Sequence, residues 1–180
     1  MIVVSDTNIL SSLAAGNAFP ALRQLFAPSP LCIPPAVFQE LLAALDRGKP
    51  YLAPLFQAIT DQQVLIITLS EDEEQLLQHY PPGLNLGERQ AIAITQTRTA
   101  IFLRNDMRAI RYCRSQTLSV LTLENILRQL WVRNILSRTK VKQVIAQMAQ
   151  VEKLVVPPER QAIIFAAHSP KVSKTKKPRK

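Results

Sequence analysis

Asp6 follows the apolar run Ile2-Val3-Val4-Ser5, and Asp106 follows Ile101-Phe102-Leu103 after Arg104 and Asn105. Each run reads as a buried strand, and the residues after it read as a turn into a helix. Both acids are therefore expected at the carboxyl ends of strands, the edge of an open α/β sheet where ligands bind. Two carboxylates brought close repel strongly unless one is protonated or a cation bridges them. All-oxygen ligation selects a hard ion, Mg²⁺ or Mn²⁺. Glu40 and Glu88 could share that ion, and the four acids together suggest a metal-dependent nuclease.

Each acid has a plainer role to weigh. Asp6 could cap the helix after it, since aspartate accepts hydrogen bonds from free backbone N–H groups. Thr7 and Asn8 could orient Asp6 through hydrogen bonds. Glu40 lies on a helix with Ala36, Val37, Ala43 and Ala44 at the neighbouring offsets and no Lys or Arg among them. That favours a cleft edge over a charged, solvated face. Glu88 stands three residues after Asn85, which resembles a capping box. The capping role and a role at the sheet edge both stay open. Gly87 would allow a close approach of backbone or ligand there.

The elements that would position these acids alternate along the chain. Strand-like runs occur at Ile2–Ser5, Leu31–Ile33, Val64–Leu69, Ala100–Leu103 and Ser119–Leu123. Helix-like segments occur at Phe19–Phe26, Pro35–Asp46, Glu71–His79, Gly87–Thr97 and Met107–Ser115, with a short helix expected in Tyr51–Thr60. The alternation predicts βαβ units and a parallel sheet. From about residue 123 the pattern is helical only, with Leu123–Leu136, Lys140–Gln150 and Pro158–Ala167 as the expected helices. Val141, Val144, Ile145 and Met148 recur at helical spacing and read as packing surface. The expected division is an α/β domain over 1–125, a helical extension over 126–167 and a disordered basic tail over 168–180.

In order and spacing, four segments resemble the PIN-domain family over roughly residues 1–125. They are Val3-Val4-Ser5-Asp6-Thr7-Asn8, Val37-Phe38-Gln39-Glu40-Leu41, Leu86-Gly87-Glu88-Arg89-Gln90-Ala91-Ile92-Ala93 and Phe102-Leu103-Arg104-Asn105-Asp106-Met107-Arg108-Ala109. The resemblance implies a Rossmann-like sheet of about five strands in the order 3-2-1-4-5. It implies a catalytic set of Asp6, Glu40, Glu88 and Asp106, with Mg²⁺ or Mn²⁺ held by Asp6, Asp106 and Glu88. Thr7, Asn8 and Asn105 would support them. The implied reaction cuts single-stranded RNA to a 5′-phosphate and a 3′-hydroxyl. Many bacterial relatives are VapC-type toxins that dimerise and pair with an antitoxin, so both partners are expectations here; others process RNA. The chain departs from the family at the fourth strand's end. Arg104 stands where a hydroxyl residue is usual, and Asn105 where an acid is often found. Arg104 would bind a scissile phosphate or weaken metal affinity.

Bulk properties bound these readings. The chain has 180 residues, 47% of them hydrophobic, and a net charge of +9. Six of those charges lie in the tail, on Lys171, Lys174, Lys176, Lys177, Arg179 and Lys180. Such a tail could add sequence-independent attraction to nucleic acid. Arg89, Arg104, Arg108 and Arg111 lie in or near the motifs and are candidate phosphate contacts. Aromatic residues make up 6%, so base stacking is not the expected mode. No apolar run nears the roughly 18 residues that span a membrane. No signal peptide is expected, and Cys32 and Cys113 read as buried thiols, so a cytoplasmic location is expected.

Two other function classes compete. One is a catalytically inactive PIN-like module that binds RNA or protein, with Arg104 as the disabling change. The other is a phosphotransferase with Asp6 as nucleophile, which lacks an acid two residues on, because Asn8 is there. Ser/His/Asp hydrolysis ranks lower still, since His79 and His168 lie far from the acidic motifs in sequence.

Overall fold

The computed structural model describes residues 1–166; the basic tail and His168 lie outside the described residues. Five parallel strands form one sheet in the order β3-β2-β1-β4-β5, which is the expected order. They are β1 (Ile2–Ser5), β2 (Leu31–Ile33), β3 (Val64–Ile66), β4 (Ala100–Leu103) and β5 (Val120–Leu121). The central strand β1 pairs with β2 on one side and β4 on the other, with Ser5 beside Leu103.

Alternation along β1 builds two cores. Val3 faces a cluster with Ile9, Leu10 and Leu13, while Val4 faces a second with Ile92, Ile94 and Phe102. Both valines are buried, as expected of a parallel sheet covered on both faces. The first cluster is covered by α1 (Thr7–Ala15), α2 (Phe19–Phe26), α3 (Pro35–Asp46), α4 (Ala53–Thr60) and three later helices. The second is covered mainly by α6 (Leu86–Thr97) and α7 (Met107–Ser115), with α5 (Glu71–Leu76) beside α6.

Beyond the sheet, α8 (Leu123–Val132), α9 (Arg138–Glu152) and α10 (Pro158–Phe165) complete the described chain. Val141, Val144, Ile145 and Met148 of α9 are buried and join the same cluster as Ile9 and Leu13. The close approach of α9 to the end of α1 depends on Gly16, where an added Cβ would lie 2.8 Å from Val144 Cγ1. Arg128 of α8 holds α10 in place by donating to the carbonyls of Ile163, Ile164 and Ala166, and Trp131 Nε1 donates to Ile164 O at 2.8 Å. No helix among the described residues is long and apolar enough to cross a membrane.

Element ends differ from the sequence reading where edges and turns intervene. The third strand stops at Ile66 rather than Leu69 because its partner β2 ends at Ile33, opposite Ile66, where Pro34 and Pro35 lead into α3. The helix from Leu123 stops at Val132, and Asn134 reverses the chain with φ +56° before Ser137 caps α9.

One buried carboxylate sets an acid limit on this fold. Glu73 of α5 accepts from Arg98 Nε at 2.7 Å and Arg98 Nη2 at 2.5 Å, and from Thr97 and the Ser70 amide. Burial pushes its carboxyl up, but these hydrogen bonds and the Arg98 charge outweigh burial and hold it at about 2. A folded-state pKa below the unfolded value adds stability that is full above about 4.5 and is lost as pH falls towards 2. Urea unfolding from pH 5 to pH 2.5 should show this loss, and Glu73→Gln should flatten the dependence. An equally steep decline in Glu73→Gln would show that other acids govern it.

Candidate active site

The register that sets Ser5 beside Leu103 brings the residues after each strand together. The Asp6 amide donates to Leu103 O at 3.2 Å, and the Arg104 amide donates to Leu121 O at 2.9 Å. The Arg104 side chain is thereby delivered to the carboxyl end of β1, where it is 4% exposed. A guanidinium buried that far needs anionic partners. It has two: Nη1 donates to Asp6 Oδ2 at 2.5 Å, and Nη2 donates to Glu88 Oε1. Asp6 is 1% exposed and Glu88 7%.

Both acids divide their oxygens in the same way. Asp6 Oδ1 accepts from the Ile9 amide at 2.8 Å, capping α1, and leaves Oδ2 for Arg104. Glu88 Oε2 accepts from the Asn85 amide at 2.9 Å, while Asn85 Oδ1 accepts from the Glu88 amide at 2.7 Å. That capping box leaves Glu88 Oε1 for Arg104. Capping and a place at the sheet edge therefore coexist in each acid. Burial pushes the Asp6 carboxyl up to about 6, against the Arg104 charge and the Ile9 and Arg104 hydrogen bonds that pull it down.

The other two candidate acids have hydrogen-bond partners other than Arg104. Glu40 accepts from Thr7 Oγ1 and lies close enough to Asp6 for its charge to raise the Asp6 carboxyl. Gly87 permits this approach of α3 and α6, since an added Cβ would lie 3.1 Å from Glu40 Oε1 and 3.0 Å from Val37 Cγ2. Asp106 is exposed and caps α7, with Oδ1 accepting from the Arg108 amide at 2.8 Å and the Ala109 amide at 3.2 Å. Burial pushes its carboxyl up, but those amides and the charges of Arg104 and Arg108 bring it below the usual carboxylate range.

The arginines separate into two groups. Arg108 and Arg111 are exposed on α7 with Arg114, three residues apart and on one face. Arg104 is withdrawn from solvent by its acids. Arg89 is half-buried and lines a surface recess with Glu71, Glu74 and Gln75 of α5. His79 is exposed at the end of a short turn, and its Nδ1 lies 3.1 Å from Gln75 O.

Sequence reasoning missed a second polar cluster. Glu152, the last residue of α9, accepts from Ser11, from Ser12 Oγ at 3.0 Å and from Tyr51 Oη at 2.7 Å, with Lys49 Nζ at 3.7 Å. It anchors the extension to α1 beside the site. An open cavity of about 440 Å³ lies there, lined by Asn8, Ser12, Asn105 and Asp106 near the strand ends and by Glu152 and Lys153. Glu152 lies 140 residues from Ser12, so no local spacing could announce the pairing.

The residues do not fit a divalent ion in this arrangement. Among the described residues, no three His, Cys, Asp or Glu side chains converge to hold one. The space between Asp6 and Glu88 is taken by Arg104, Glu40 is bonded to Thr7, and Asp106 is turned to the amides of α7. No curated protein matches the chain, and no solved structure does. A family model described as a PIN domain matches residues 2–169, running through the sheet and the helices beyond it; the chain belongs to this PIN-domain family.

Proposed function

We propose that the protein binds single-stranded RNA along the carboxyl edge of its sheet, and that Arg104, instead of a divalent ion, balances the paired acids there. PIN domains have a nuclease-type function generally and generally use divalent metals. The observation that carries the reading is the double ion pair of buried Arg104 with Asp6 and Glu88. With those acids engaged, the nearby helix α7 offers Arg108, Arg111 and Arg114 to solvent. Contacts from such a face to phosphates position a strand without reading its bases. A flexible strand can follow a crevice that a duplex cannot enter.

A second reading is cleavage of RNA by Mg²⁺ or Mn²⁺ bound at the acids, and the VapC-like toxin role, an antitoxin partner and a homodimer belong with it. One observation favours it: Asp6, Glu40 and Glu88 share one neighbourhood. It requires Arg104 to leave both acids.

The test incubates the purified full chain with a pool of single-stranded RNAs in Mn²⁺ or EDTA, beside Asp6→Asn. The expected result is equal binding in both buffers and no metal-dependent cleavage. Cleavage that needs Mn²⁺ and disappears in Asp6→Asn would establish the second reading. Absence of RNA binding would reject the proposal.

A further inference from the structure

We infer that the Arg104 guanidinium stands in for a divalent ion as the counter-charge of Asp6 and Glu88, and that removing it makes the fold's stability depend on an added divalent cation. This rests on the proposed role of Arg104 as the counter-charge of the paired acids and not on RNA binding, and adds that the vacated site takes a divalent ion. The two carboxylates are held in place without Arg104. Asp6 Oδ1 is fixed by the Ile9 amide and Glu88 Oε2 by the Asn85 amide, each at a helix N-terminus. Their other oxygens, Asp6 Oδ2 and Glu88 Oε1, are directed at one guanidinium from β1 and from α6. Loss of the side chain would leave two fixed, buried oxygens around one vacated space.

Charge and size decide what could fill that space. A guanidinium brings one positive charge to two carboxylates, and Glu40 adds a third negative group nearby. Arg104 Nε has no hydrogen-bond partner among the described residues, so the match of guanidinium to site is incomplete. A divalent ion would balance both carboxylates. Mg²⁺ keeps several of its waters and binds through one or two carboxylates, so the obstacle to it in the wild-type chain is Arg104 between Asp6 and Glu88. Arg104→Ser removes the charge, opens room for those waters and supplies a hydroxyl.

The experiment measures the thermal midpoint of the wild-type chain, Arg104→Ser and Arg104→Ser/Glu88→Gln. Each is measured with MgCl₂, with MnCl₂ and with NaCl at matched ionic strength. Arg104→Ser should rise by roughly 5–10 °C when the ion exceeds its dissociation constant about a hundredfold. Wild type should not respond beyond the NaCl control, and the double variant should lose most of the response. A folded Arg104→Ser with no ion-specific rise overturns the inference. So does a wild-type rise equal to that of the variant. If Arg104→Ser does not fold in any buffer, Arg104→Lys carries the test. Its single ammonium covers one acid, so it should still respond to the divalent ion, and its failure to do so overturns the inference.

Discussion

Arg104→Ala should lower the unfolding free energy by about 3–5 kcal/mol in divalent-free buffer, because one partner of a buried charge network is removed and the others remain. Asp6 and Glu88 are both almost wholly buried, and each keeps one oxygen on a helix amide. Neither carboxylate can turn to water without releasing its cap. The deficit should depend on pH with a defined sign. Burial already holds the Asp6 carboxyl up at about 6, and Arg104 is the largest opposing influence. Without Arg104 the carboxyl moves further up, so the folded state binds a proton that the unfolded chain has released. Such a group costs stability when ionised, and the cost shrinks as pH falls. The variant should therefore lag wild type most at pH 8 and less at pH 5.5. Adding Glu88→Gln to Arg104→Ala should recover part of the loss, since one buried charge is then gone. Urea unfolding of the four corners of this cycle checks it. A loss below about 1 kcal/mol, or no recovery in the double variant, would show that the guanidinium does not balance these acids.

Replacing Arg108, Arg111 and Arg114 together by alanine should weaken single-stranded RNA binding on the order of 100-fold near 0.1 M salt, taking about 1 kcal/mol for each exposed contact. All three are exposed on one face of α7, and their removal leaves the helix cap on Asp106 in place. The salt dependence gives a sharper check than the affinity. Three fewer phosphate contacts should lower the slope of log K against log salt by roughly 2 for a single strand. Fluorescence anisotropy with a labelled RNA at several salt concentrations reads both quantities. An unchanged slope would place the RNA elsewhere, with the basic tail as the next surface to test.

The alternation of strands and helices and the placement of Asp6 and Asp106 after strands were legible because they arise from local patterns, whereas the strand order was implied by the family resemblance. An apolar run ending in an acid and a turn marks the carboxyl end of a strand, and Asp6 shows this pattern directly. Asn85 and Glu88 at capping-box spacing announced the start of α6, and Gly87 announced a close approach, here of α3. The position of Arg104 at a strand end was legible as well; its pairing was not. Whether an arginine there meets phosphate or carboxylate depends on Glu88, which α6 brings over β4. A strand-end arginine after three apolar residues is itself a sign of burial, and a buried guanidinium needs acids. Taken with Asp6 at the matching position on β1, that sign could have named the ion pair. The Asp106 side chain is explained by helix capping, which Asp6 also performs, but Asp106 has no Arg104 Nη within hydrogen-bond reach among the described residues. Glu152 was illegible because its partners on α1 and near Tyr51 come from segments a hundred or more residues away.

The most direct measurement is a Mn²⁺ titration of the wild-type chain monitored by amide NMR, because a bound paramagnetic ion broadens nearby signals selectively. With Arg104 seated between Asp6 and Glu88, the amides of Asp6, Thr7, Glu88 and Asn105 should broaden no more than amides elsewhere on the surface. Selective loss of those signals at low Mn²⁺ would contradict the account, since it would place a divalent ion among the acids whose charge Arg104 is argued to balance.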